Sequence, residues 1–126
     1  MEHKVALRQS LLLDEVAIVA TDRFNIGALI CAGPVSFREL PSLILTTVCN
    51  GGATTLDVTI EASYNGTDFF EVLAFAQFGA GLDGMEIMKL PMGALFMDAV
   101  VTLGGVGDYD VRIDAFGPAS GCGCKT

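Results

Sequence analysis

Tryptophan is absent, and histidine occurs once, as His3. Nucleophile triads need a base. The only imidazole sits beside the N-terminus between Glu2 and Lys4, where a solvated role is expected. Ser-His-Asp and Cys-His chemistry are therefore not expected, nor is a cupin-like barrel enzyme, which wants clustered His and carboxylates. Cations are also scarce, with 7 Lys+Arg against 15 Asp+Glu and a net charge of -8. Phosphate and anionic lipid both need a cationic surface, so neither nucleic acid nor a membrane is an expected partner. Long hydrophobic runs are missing too. Asp14 and Glu15 interrupt Leu11-Leu12-Leu13, and Asp98 breaks the stretch from Gly93 to Leu103. Nothing approaches the roughly 18 apolar residues of a spanning helix or an uninterrupted secretory core. A chain made and kept in a cytosol, or assembled there, is the resulting expectation. Four cysteines are too few for a disulfide scaffold. Cys31 and Cys49 lie in apolar context and read as small core residues.

What is present is apolar. Hydrophobic residues make up 52% and charged ones 17%, which excludes intrinsic disorder. At 126 residues the chain reads as a single domain over 1–126. Its strongest pattern has period two. Leu56, Val58, Ile60 and Ala62 alternate with Asp57, Thr59, Glu61 and Ser63. Tyr109, Val111, Ile113 and Ala115 alternate with Asp108, Asp110, Arg112 and Asp114. Each reads as a strand with one wet face, hence an antiparallel sheet. Asn65-Gly66 suggests a type I′ hairpin, and Gly104-Gly105-Val106-Gly107 a second tight connection. Strands are expected near 4–13, 16–20, 27–31, 43–49, 55–63, 69–78, 84–90 and 95–103, with a ninth at 108–116. Turn signals at this spacing predict an all-β sandwich or barrel. Residues 1–15 read as an extended N-terminal arm, though Val5, Leu7, Leu11, Leu12 and Val16 within 4–20 also suit a short helix. Residues 117–126 read as a loose Gly- and Cys-containing tail.

The residues that could carry chemistry are few. Cys122-Gly123-Cys124 could hold a soft metal, form a disulfide or crosslink two subunits. A closed zinc site needs four ligands, so the inert or crosslinked tail is preferred and no metal or other cofactor is expected. The carboxylates of 108–114 could bind calcium, but a solvated strand face already produces that pattern, and no Asp-x-Asp-x-Asp-Gly loop accompanies it. Asn65-Gly66-Thr67 matches a glycosylation sequon and is more simply a turn. The glycines of 104–107 lie between strands rather than before a helix, so a phosphate cradle is not expected. Phe69, Phe70, Phe75, Phe78 and Phe96 supply core aromatics and leave some rings for a partner.

The order of these elements resembles the small jelly-roll decoration (cement) proteins of tailed-bacteriophage heads, including those of the Bordetella-phage type. The resemblance spans about residues 5 to 117. It runs from Leu11-Leu-Leu-Asp14 and Val16-Ala-Ile-Val-Ala20 through Leu43–Val48 and the loop at 51–55. It continues through Leu56–Ser63 with Phe69-Phe70, then Leu90-Pro-Met-Gly93 and Phe96–Leu103 with a last Gly-turn hairpin. The Cys-Gly-Cys tail departs from the pattern. The resemblance implies an all-β, antiparallel jelly-roll-like sandwich of about eight strands. It also implies a non-enzymatic, structural virion role with no small-molecule substrate. Such proteins clamp neighbouring major capsid protein subunits on the outer capsid surface, commonly as homotrimers, after assembly in the host bacterial cytoplasm. Leu7, Leu11, Leu12 and Leu13 of the arm, with Gly81 and Leu82 of the Gly-rich loop, are the expected interface. The surplus of apolar residues fits such an assembly. Other readings are a carbohydrate- or receptor-binding module, with Tyr64 as the best sugar contact, and a head-completion, stopper or tail protein.

Overall fold

The computed structural model describes residues 7–27, 40–92 and 96–118. Eight strands appear in the order β1 (Leu7–Ile18), β2 (Asp22–Gly27), β3 (Ser42–Gly52), β4 (Leu56–Ser63), β5 (Phe70–Ala74), β6 (Gly84–Lys89), β7 (Phe96–Leu103) and β8 (Gly107–Pro118). Among the described residues there is no helix. The strands form two four-stranded sheets, β1-β8-β3-β6 and β2-β7-β4-β5, with every pairing antiparallel. Only β4 and β5 are consecutive and paired. Every other connection crosses from one sheet to the other, which is the jelly-roll arrangement of a β-sandwich.

The alternation seen in the sequence builds the core. Leu56, Val58, Ile60 and Ala62 of β4 face Tyr109, Val111, Ile113 and Ala115 of β8 across the sandwich, and all eight are buried. Leu43 and Leu45 of β3 and Met97, Ala99 and Val101 of β7 complete it. Truncating a branched side chain such as Ile60 to alanine at this depth costs about 2–5 kcal/mol.

Several local expectations are corrected. From Leu7 onward the two strands expected at 4–13 and 16–20 are one extended strand, hydrogen-bonded to β8 from Pro118 down to Tyr109. Register shifts at Leu11/Leu13 and Glu15/Ile18 disturb its period, which is why it read as two pieces or a helix. The β4–β5 connection is not a two-residue turn. Asn65 does not adopt a positive φ, and only Gly66 does, at 78°. The Asn65 carboxamide oxygen instead accepts the backbone N–H groups of Thr67 and Asp68, each at 2.8 Å, and the Ser63 hydroxyl accepts that of Gly66 at 2.9 Å. This side-chain capping stabilises a wider loop. The glycines after β7 likewise carry the chain between sheets rather than closing a hairpin. β5 stops at Ala74, although Phe75 and Phe78 still bond to β4 at Val58 and Leu56.

Candidate binding surfaces

The outer face of the first sheet is assembled by register. Leu11, Asp114, Ile44 and Ile87 lie in one row across β1, β8, β3 and β6. The rows beside it hold Phe116, Ser42 and Lys89 on one side and Asp14, Arg112, Thr46 and Met85 on the other. Val48 stands opposite Asp110 in the next. Met85 and Ile87 are 67% and 58% exposed, and Leu11, Val48 and Phe116 are also open to solvent. Among them Asp114 is only 4% exposed. Its carboxylate accepts Arg112 Nε at 2.9 Å and Nη2 at 3.2 Å. That pair neutralises the one carboxylate the apolar residues cover, and the Asp114 carboxylate holds the Arg112 guanidinium above its ordinary pKa.

The outer face of the second sheet is polar. Arg23 of β2 donates to Glu61 at 2.7 Å and to Asp98 at 3.1 Å, and its guanidinium carbon lies 4.8 Å from the centre of the Phe69 ring. Hydrogen bonding to Glu61 is the largest cause holding the Arg23 pKa above its ordinary value. Asp98 is buried beneath this contact, with Asn25 Nδ2 3.5 Å from its other oxygen. Near the β4–β5 loop, Tyr64, Phe70 and Phe96 form an exposed aromatic end, with the Phe96 ring under Gly66.

The third arrangement is internal. Tyr109 is fully buried, and its hydroxyl donates to the Thr54 carbonyl at 2.6 Å while accepting the Gly81 N–H at 3.2 Å. Burial pushes this phenol above its ordinary pKa. Cys49, half-buried and paired with Tyr109 across β3 and β8, donates its N–H to Asp83 at 2.7 Å. At the open side between β1 and β2, a groove of about 380 Å³ runs along Glu15–Ala20 with Asp22 and Phe24. Among the described residues no three His, Cys, Asp or Glu side chains gather as a metal-binding group.

The residues expected at an interface have separate fates. Leu11 is on the outer face of the first sheet, and Leu82 is exposed. Leu13 is buried in the core and Leu12 packs against it, because the register shift at Leu12 turns the chain inward. Gly81 adopts φ 74° and is tied to Thr54 and Tyr109 through its N–H. Leu7 pairs with Pro118. Cys122 and Cys124, with His3 and Cys31, lie outside the described residues. The sequence reading missed Ile44, Val48, Met85 and Ile87. Their signal was present, because Leu43-Ile44-Leu45 and Met85-Glu86-Ile87-Met88 put apolar residues on both faces of a strand.

No family profile and no curated protein matches this chain. Among solved structures it is similar to a chain of the disulfide-linked pili of Bacillus endospore appendages. That match has 11% identity and a TM-score of 0.47, over 94% of this chain and 92% of that one. A chain of infectious bursal disease virus, Gx strain, is 12% identical with a TM-score of 0.46, over 98% of this chain and 34% of that one. A Gt-strain chain is 15% identical with a TM-score of 0.30, over 92% of this chain and 31% of that one. This chain therefore spans about a third of the viral chains it matches.

Proposed function

We propose that the chain is a structural virion subunit that decorates a bacteriophage head and bridges neighbouring major capsid protein subunits. One observation carries this reading. The outer face of the first sheet presents Leu11, Ile44 and Ile87 in a row, flanked by Met85, Val48 and Phe116. A sandwich that only had to fill its own core would keep that face polar. A neutralised Arg112–Asp114 pair at the centre of an apolar patch suits a surface that is covered in the assembled state. The net charge of -8 keeps the remaining surface soluble and away from nucleic acid. The resemblance to cement proteins supplies the capsid as the partner and the homotrimer as the assembly.

Electron microscopy of heads assembled from the capsid protein of the same genome, with and without this chain, tests the reading. Added density on the outer surface is expected, and Ile44→Asp is expected to abolish it. Heads that bind no chain, or bind the Ile44→Asp variant equally, overturn the reading. The trimer stands or falls with a solution mass of about three times 13.2 kDa. A second reading, a carbohydrate-binding module, is favoured by the exposed Tyr64, Phe70 and Phe96. Binding on a glycan array that is lost in Tyr64→Ala would support it.

A further inference from the structure

Among the described residues the sandwich has four edge strands, which differ in how they are guarded. A sheet edge offers unpaired backbone groups, and proteins blunt such edges with bulges, short length or projecting charge. β1 carries two register shifts and Ala17 in the left-handed region, φ 56°. β2 carries a register shift and the polar run Asp22, Arg23 and Asn25. β5 is five residues long, has a shifted register against β4 and carries Glu71. β6 carries the charges Glu86 and Lys89 but has no bulge. Its register against β3 is unbroken from Gly84 to Lys89, and Met85 and Ile87 stand exposed.

The charges on β6 are turned back onto the chain. Glu86 Oε2 accepts the Ala76 N–H at 2.8 Å, and Lys89 Nζ donates to the Leu40 carbonyl at 3.0 Å. The two charges also cancel. On a chain of net charge -8, an edge without net charge adds no local repulsion between two copies.

We infer that β6 pairs antiparallel with β6 of a second copy about a two-fold axis at Ile87, joining two first sheets into one of eight strands. In that register Met85 lies opposite Lys89 of the second copy, and Glu86 lies opposite its Met88. Parity is kept, so Met85, Ile87 and Lys89 stay outward from both copies. The row Leu11–Asp114–Ile44–Ile87 then continues into its own mirror order in the second copy. The contact is isologous and closes on itself. It goes beyond the capsid reading and does not depend on it.

Two variants of the full chain test the pairing with no capsid present. Light scattering coupled to size exclusion is expected to show the wild-type mass doubling with concentration from its dilute value, whether that value is one copy or three. Ile87→Lys sets two like charges against each other at the axis and is expected to weaken the doubling about tenfold or more. Ile87→Cys is expected to form a reductant-sensitive covalent pair beyond any seen in wild type. Val106→Cys, exposed on another loop, is expected not to. The inference is overturned if the mass never doubles, if Ile87→Lys leaves it unchanged, or if Ile87→Cys crosslinks no more than Val106→Cys. Pairing through a different edge, or with a different partner, would give that last result.

Discussion

At the scale of single residues, two side chains hold long-range geometry together. Tyr109 links the floor of the core to the backbone of Thr54 and Gly81, which lie 55 and 28 residues away. Tyr109→Phe keeps the ring and loses both hydrogen bonds, so a loss of about 1–2 kcal/mol in denaturant unfolding is expected. The pH dependence follows from the raised pKa of this phenol. Above the unfolded value of about 10, the unfolded chain releases the proton while the folded chain keeps it. Stability from this group is therefore fully present below about pH 10 and lost as pH rises past it. Wild type is expected to lose stability in that range more steeply than Tyr109→Phe. Arg23 is the second such residue, because it separates Glu61 from Asp98 and shields the buried carboxylate. Arg23→Leu leaves that carboxylate poorly compensated and is expected to cost about 1–3 kcal/mol. Much of the loss should return with Asp98→Asn in the same chain. Urea midpoints for the four variants of that cycle check it.

At the scale of elements, the β3–β4 connection is set by backbone space. Gly52 has φ 82°, and a Cβ there would lie 2.5 Å from the Val106 carbonyl oxygen. Neighbouring Gly51 has nothing within 4 Å. Gly52→Ala is expected to destabilise by about 2 kcal/mol or more, and Gly51→Ala far less, measured by denaturant unfolding. Elements with one uninterrupted alternation, β4 and β8, were legible in the sequence because each inward position is apolar and each outward one polar. β1 was not legible. Its two register shifts change which residues face inward, so Leu11 points out while Leu13 enters the core. The Asn65 turn was misread because dipeptide rules assume the side chain is idle, and here it caps the loop. The strand order itself arises from pairings such as β1 with β8, about 100 residues apart, which no local pattern carries. The candidate surface was half legible. Leu11 was named, but its neighbours Ile44 and Ile87 join it only through the register of four strands.

At the scale of the whole molecule, an acidic charge opposes an apolar face. The net charge of -8 repels like copies at neutral pH, while the outer face of the first sheet exposes apolar area whose burial would favour contact. The two terms respond differently to solution conditions. Salt screens the repulsion between copies within about 10 Å at 0.1 M, and leaves apolar burial largely intact. Lowering the pH toward the sequence isoelectric point of about 4.3 removes the repulsion by protonating carboxylates. Self-association, read by light scattering, is therefore expected to rise with salt at neutral pH and to peak near pH 4.3. A contact made mainly of ion pairs would weaken with salt instead. Met85→Lys combined with Ile87→Lys should flatten both responses, because it places charge on the apolar edge without touching the core. An association that survives this double change unaltered would locate the sticky surface elsewhere, at the aromatic end of Tyr64, Phe70 and Phe96.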